Sequence, residues 1–407
     1  MFWDGSPMGI YECLDAFQVA TGKKIGDAGT RPWIQGYPVV ERLPDGPDLP
    51  DTVTITDSER KYPDRWGHPA LREAIARYYV ELHGASVGPE NVIVLGGGRQ
   101  AIFSLLTLHQ WKMREEGRTP RVVIEETEYT PYWDVCRFLG LPMDLVASNL
   151  SNGFRPMPQA HLAKLQETAF WIKSNPCNPT GVCWSAEDFA PIVERAKRDD
   201  FLGFVDEAYD FFVESNYRSA LAAIDNINTS NLAVIGAATK GLQFPGARIG
   251  WVVGRPELID ALGSYVTFAV GGIARPSQKF VEMLLDLEHV REHRARMGEF
   301  NRSQSERYGN MLSDAGMKLH TGTGGFYHWC EAPGALTSSD IDERLRHHDA
   351  SILPGVFCDN RRPPVGTPEW DAYESPLAQC FRLSFGPCGP GDAPGDAKIW
   401  AACFGEG

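Results

Sequence analysis

The sequence predicts an α/β fold: a mostly parallel sheet with helices on both faces, followed by a smaller α+β unit. Three observations carry this. Between residues 69 and 235, short apolar runs alternate with longer stretches of helical spacing, the pattern of strands joined by crossover helices. The first run opens onto Gly96-Gly97-Gly98, a tight turn suited to a strand-to-helix junction. Beyond about residue 275 the texture changes to long charged helices and a few isolated strand-like segments.

In chain order, the first ~50 residues are rich in Gly, Pro and aromatics and read as an irregular arm that must lie on something. Residues 69–83 have helical spacing, Val92-Ile93-Val94-Leu95 is an apolar run, and 100–112 is amphipathic, giving helix, strand, helix. Val122-Val123-Ile124 is the next strand, with a helix-like stretch near 133–139. Phe170-Trp171-Ile172, Leu202-Gly203-Phe204-Val205 and Leu232-Ala233-Val234-Ile235 are three more strands. Residues 276–311 read as one or two charged helices, 322–329 as a Gly-rich strand, 338–348 as a polar helix and 380–385 as a last strand. Residues 357–379 form a long polar loop with several prolines, a kind that is usually functional or mobile. The expected division is an arm belonging partly to the small domain (1–50), a large domain (51–275) and a small carboxyl-terminal domain (276–407).

The composition is that of a globular protein: 407 residues, 43% hydrophobic and 23% charged. Thirty-nine Lys plus Arg against 53 Asp plus Glu give a net charge of −14, which argues against nucleic acid and anionic membranes as partners. No apolar run reaches the ~18 residues of a membrane span, and the amino-terminal residues lack the basic-then-apolar pattern of a secretory leader. Nine scattered cysteines without a C-x-x-C argue against a disulfide framework or a zinc finger, and a cytoplasmic setting is expected.

In such a sheet ligands sit beyond the carboxyl ends of the strands, so the residues just after each apolar run are the candidates. They are Gly97-Gly98-Arg99, Asn178 within Asn175-Pro176-Cys177-Asn178-Pro179-Thr180-Gly181, Asp206-Glu207-Ala208-Tyr209, Thr239-Lys240 and Arg248. A carboxylate, neutral donors, an amine and an anion cradle suit one cofactor. Pyridoxal 5′-phosphate has a basic ring nitrogen, a phenolic oxygen, an aldehyde and a phosphate to match them. The Gly-rich turn also fits G-x-G-x-x-A, a dinucleotide fingerprint. Glu125 and Glu126, however, fall 29 and 30 residues after Gly96 rather than about 20. His289 and His293 have a metal-ligand spacing on a helix, but their charged neighbours and the lack of a third ligand make a solvated face the better reading. No metal is expected.

These motifs, in this order across about residues 36–382, resemble the fold-type I aminotransferases of the aspartate-aminotransferase class. The resemblance implies a seven-stranded large-domain sheet and transamination between an α-amino acid and a 2-oxo acid. It implies that Lys240 forms a Schiff base and moves the Cα proton, that Asp206 keeps the pyridine nitrogen protonated, and that Tyr209 and Asn178 donate to the phenolic oxygen. Gly97, Gly98, Arg99 and Arg248 match the phosphate site, with Thr239 beside the lysine, and Tyr129 the aromatic stacked on the ring. Tyr62 resembles the tyrosine that reaches the neighbouring subunit's phosphate, which implies a homodimer with shared active sites. Arg382 resembles the clamp on the substrate α-carboxylate, and Gly36 the glycine lining its pocket. Two departures stand out: Ala237 replaces a serine that contributes to the phosphate cup, and Thr127 replaces a proline before the stacking aromatic.

Singly, each residue has an ordinary reading: Lys240 and Arg248 as surface charges, the Asn-Pro run as a turn, Asp206 and Tyr209 as a helix-start acid and a packed phenol. Their joint order makes the case. The alternative chemistry is β- or γ-elimination, replacement or C–C bond formation, as in the aminocyclopropane-carboxylate synthases. Ala237, the 357–379 loop and the aromatic arm (Trp33, Tyr37) motivate it, and the cofactor residues alone do not separate it from transamination. A non-catalytic binder would need neither Lys240 nor Asp206. Arg31 and Arg99 are the candidates for a distal substrate charge.

Overall fold

The computed structural model describes residues 11–165 and 169–404. In chain order its elements begin with α1 (Tyr11–Thr21), α2 (Pro69–His83), β1 (Val92–Leu95), α3 (Gly98–Glu115), β2 (Arg121–Glu125), α4 (Thr130–Leu139) and β3 (Met143–Val146). They continue with α5 (Pro158–Lys164), β4 (Ala169–Ser174), α6 (Ala186–Arg195), β5 (Leu202–Asp206), β6 (Leu232–Ala237), β7 (Gly250–Val253), α7 (Pro256–Ala269), α8 (Arg275–Leu284) and α9 (Leu287–Asp314). The remainder is β8 (Lys318–Leu319), β9 (Tyr327–Glu331), α10 (Ser338–Arg346), β10 (Leu353–Pro354), α11 (Pro368–Asp371), β11 (Cys380–Ser384) and α12 (Ala393–Phe404).

Seven strands form one sheet in the order β1-β7-β6-β5-β4-β2-β3. Strand β7 runs antiparallel to both its neighbours, and the other pairings are parallel. The apolar runs are continuous because both faces are covered. Val92 and Val94 of β1 turn toward one apolar cluster with α2 and α6, whereas Ile93 and Leu95 turn toward another with α3, α4 and α7. A second, antiparallel sheet has the order β10-β11-β9-β8, with Arg382 opposite Trp329 and Leu353. Buried Asp396 of α12 gathers the arm to it, accepting from the Trp33 indole at 3.1 Å and the Tyr308 hydroxyl at 2.5 Å and pairing with Arg31 at 2.6 Å.

The structure revises several expectations. The arm is not wholly irregular: residues 11–21 are helical, with Cys13 and Phe17 buried four apart on one face, a local periodicity that the surrounding Gly and Pro mask. Strands β3 and β7 and helix α7 were not anticipated; β3 is mostly half-buried with Asp144 inside it, so it lacks the apolar run that marks a central strand. The 276–311 stretch is two helices, separated before Asp286, whose side chain caps α9 by accepting from the amides of Glu288 and His289. Strand β9 starts only at Tyr327; Gly322 and Gly324 before it donate their N–H groups to Thr180 and Gly181, at 2.8 and 2.9 Å. His293 is not on a solvated face: it is buried and bonds the Gly241 carbonyl at 2.9 Å through Nε2. All nine cysteines are free thiols, and among the described residues no helix is long and apolar enough to cross a membrane.

Candidate active site

The carboxyl ends of the strands open on a cavity of about 450 Å³. Strand β5 ends at Asp206, β4 ends at Ser174 ahead of the Asn178 loop, and β6 ends at Ala237 ahead of Thr239 and Lys240. Asp206, Ser174, Asn178, Ala237, Thr239 and Lys240 all line the cavity; backbone pairing in the sheet fixes Ser174, Asp206 and Ala237, and the loops that leave these strand ends carry the others. Gly98 and Arg99, at the start of α3, form another wall, with Tyr129 at the N-cap of α4.

Asp206 is buried and accepts from the Tyr132 hydroxyl at 2.9 Å and from the Ala208 amide at 3.1 Å. Burial pushes its carboxyl up to about 6, although both hydrogen bonds pull the other way. Lys240 donates to the Gly36 carbonyl. Burial first, then the guanidinium groups of Arg382 and Arg99, bring its amine down to about 7, against the opposing pull of Asp206. The result is an amine substantially uncharged at neutral pH, a requirement for a nucleophile.

The Asn178 carboxamide donates to the Tyr209 hydroxyl at 3.2 Å and accepts from Arg382 at 2.9 Å. The other Arg382 terminal nitrogen donates to the Ile34 carbonyl at 2.7 Å, and its Nε is buried with no hydrogen-bond partner among the described residues. Gly36 leaves the space between them: a Cβ there would stand 3.5 Å from both Arg382 Nη1 and the Tyr209 hydroxyl.

Gly97 has φ +92°, and a Cβ on it would meet Arg248 Nη2 at 2.7 Å. Glycine is therefore required for both conformation and close approach. The guanidinium of Arg248 thus lies against the turn that opens α3, beside the positive end of an 18-residue helix, the arrangement that binds a phosphate. A buried acid for a ring nitrogen, an amine lowered toward neutrality for an aldehyde and this glycine cradle for a phosphate together fit pyridoxal 5′-phosphate. Ala237 puts a methyl group, not a hydroxyl, at the cradle, about 4.0 Å from where a Cβ on Gly98 would be.

The aminotransferase class I and II sequence profile matches residues 39–354. The chain belongs to the aminotransferase class I and II family. It is a pyridoxal-phosphate-dependent aminotransferase of fold type I. Among its relatives, a probable aspartate/prephenate aminotransferase of Thermus aquaticus is 26% identical over 74% of this chain and 77% of its own length. An LL-diaminopimelate aminotransferase of Desulforudis audaxviator is 26% identical over 79% and 83%. The fold superposes on a Thermus thermophilus aspartate aminotransferase double mutant with a TM-score of 0.78, at 21% identity, covering 98% of this chain and 97% of that one.

Of the residues singled out from the aminotransferase motifs, ten line the cavity: Gly36, Gly98, Arg99, Tyr129, Asn178, Asp206, Tyr209, Thr239, Lys240 and Arg248. Gly97 and Arg382 touch it through Arg248 and Asn178. Arg99 donates to the Tyr129 hydroxyl at 3.2 Å. Tyr62 is 91% exposed and absent from the lining of its own chain's cavity. Arg31 is engaged with Asp396 instead. Sequence reasoning gave no role to Tyr11, Tyr132 or Ser174, which also line the site. Tyr132 had a signal, one helical turn beyond Tyr129, and Ser174 opens the segment that follows the Phe170-Trp171-Ile172 run, the position from which the other candidates were drawn.

Proposed function

We propose that the enzyme transfers the amino group of an α-amino acid whose α-carboxylate is held by Arg382, with Lys240 moving the proton. The Lys240 amine carries this reading, since it opens onto the cavity opposite Asp206 and is brought to about 7 by its surroundings. Arg248, the Gly97 turn and Gly98 would hold the phosphate, Asp206 would pair with the ring nitrogen, and Tyr129 would supply an aromatic wall for the ring. When bound, the cofactor supplies an electron sink for the charge left on Cα. Lys240 Nζ takes the proton from Cα and returns it, a task suited to a base near neutrality. Arg382 clamps the carboxylate with a planar fork that a lysine lacks, and Asn178 and Tyr209 donate to the phenolic oxygen.

Arg99 is the candidate partner for a distal carboxylate, because it is the cavity guanidinium left after Arg248 and Arg382 are assigned. Arg99→Ala then raises KM for dicarboxylic amino acids selectively. We further propose a homodimer in which the exposed Tyr62 completes the partner's phosphate site. The division into arm, large domain (51–275) and small domain (276–407) is proposed as the unit of organisation.

The test is a single half-reaction with an amino acid panel and no 2-oxo acid. Transamination gives one equivalent of 2-oxo acid per active site and stops, with the cofactor left as its amine. Product in excess of enzyme, with the cofactor unchanged, would place the enzyme among the elimination and replacement chemistries instead.

A further inference from the structure

Behind the Tyr129 wall lies a buried polar cluster with no part in the reaction as described. Lys173 of β4 is fully buried, its Nζ 3.1 Å from Glu125 and 2.9 Å from Glu128. Glu125, Glu128 and Cys177 carry ligand atoms within 4.8 Å of one another, but the Lys173 ammonium bridges the two carboxylates, so the grouping is an ion pair and not a metal site. Glu125 is held from the far side by His161 Nε2 at 3.2 Å, and the Trp171 indole N–H donates to the other ring nitrogen at 3.0 Å.

Glu128 is the member that reaches forward. Its Oε1 accepts from the Ser174 amide at 3.1 Å as well as from Lys173. Its Oε2 accepts from the Ser174 hydroxyl at 2.5 Å and from the Tyr129 amide at 3.1 Å. The Ser174 oxygen in turn accepts the Asn178 amide at 3.1 Å. One carboxylate therefore ties together the backbone that carries the Tyr129 ring and the loop that carries the Asn178 carboxamide, the latter bonded to both Tyr209 and Arg382.

We propose that Glu128, locked by Lys173 and acting through Ser174, is a positioning residue that sets Tyr129 and Asn178 relative to each other around the cofactor. It touches neither cofactor nor substrate in this account; its effect passes through the two groups it holds. A carboxylate suits the task because it accepts four hydrogen bonds at once, and a buried network of this kind specifies one geometry only when every member is satisfied. The inference rests on the cofactor assignment above.

The test uses the full-length protein and pyridoxal phosphate itself. Ser174→Ala leaves the Glu128–Lys173 pair intact, so its thermal midpoint stays within ~3 °C of wild type. Glu128→Gln keeps the shape of the side chain but removes the charge. Both variants weaken pyridoxal phosphate binding about tenfold. Both also displace the pH midpoint of the bound cofactor's visible absorbance, which reports the donors to its phenolic oxygen and which a purely structural role would leave in place. In the double variant the losses do not add, because the two residues act as one unit. Wild-type binding and an unshifted midpoint in Ser174→Ala, or additive losses in the double variant, would overturn the inference. If Glu128→Gln does not fold, Ser174→Ala decides alone through affinity and midpoint. Wild-type protein that takes up no cofactor would instead sink the assignment on which the inference stands.

Discussion

Two lysines near the carboxyl edge of the same sheet meet opposite fates. Lys173 is fully buried between the carboxylates of Glu125 and Glu128; burial works against its charge, yet the anions outweigh it and hold the ammonium well above the ordinary lysine range. Glu125 answers in kind: burial would raise it, but Lys173 and His161 hold it below the ordinary carboxylate range. Lys240 opens onto the cavity with one acid, Asp206, set against the guanidiniums of Arg382, Arg99 and Arg248, and its amine falls to about 7. Residue type does not distinguish a structural lysine from a reactive one, and desolvation pulls both amines down. The sign of the neighbouring charges distinguishes them.

The largest expected effect breaks the comparison on the reactive side. Lys240→Ala lowers the transamination rate by about 10⁴-fold, while its thermal midpoint matches or exceeds wild type, since the lysine it removes is poorly matched to its surroundings. Single-turnover rates and a melting curve on the same sample check both halves. Lys173→Met reverses the pattern. It leaves two buried carboxylates without their cation and costs about 3–5 kcal/mol of stability, read from urea unfolding. A Lys173→Met protein as stable as wild type would remove the distinction.

Arg382→Lys sharpens the cavity side. A lysine keeps the charge but loses the fork, so KM for every amino acid rises about tenfold to a hundredfold, measured by steady-state kinetics at constant pH. The smallest effect is one of pH. The Lys240 amine is protonated below about 7 and free above it. The rate at which cofactor-free protein captures pyridoxal phosphate therefore rises with pH through that value and then levels, instead of climbing toward the ordinary lysine range. A stopped-flow series from pH 5.5 to 9 reads the inflection. In the same series Asp206 ionises near about 6, so the foot of the rise overlaps its titration and only the upper part occurs with the acid charged.

The reactive half of this contrast was legible in the sequence and the structural half was not. Asp206, Asn178, Lys240 and Arg248 each follow an apolar run at short range, so the chain itself announces that they share one edge of a sheet. Lys173 and Ser174 end an apolar strand, and nothing local reveals that Glu125 and Glu128 from another strand end will meet them. Tyr132 is similar: its bond to Asp206 spans 74 residues. Strand β7 was hidden because Gly250 follows Arg248 so closely that the segment reads as part of the phosphate motif. His293 misled because α9 is charged along most of its length, and only the packing of Gly241 against it exposes the buried face. Residues that act on a ligand left local marks, whereas those that act on other residues were visible only once the chain had folded.

The most direct measurement is to load the protein with pyridoxal phosphate, reduce it with borohydride and locate the modified peptide by mass spectrometry. A single adduct on Lys240, absent in Lys240→Ala, with Lys173 unmodified, is expected. An adduct on Lys173 or another lysine, or none on protein that has bound the cofactor, would contradict the assignment of Lys240 as the reactive amine.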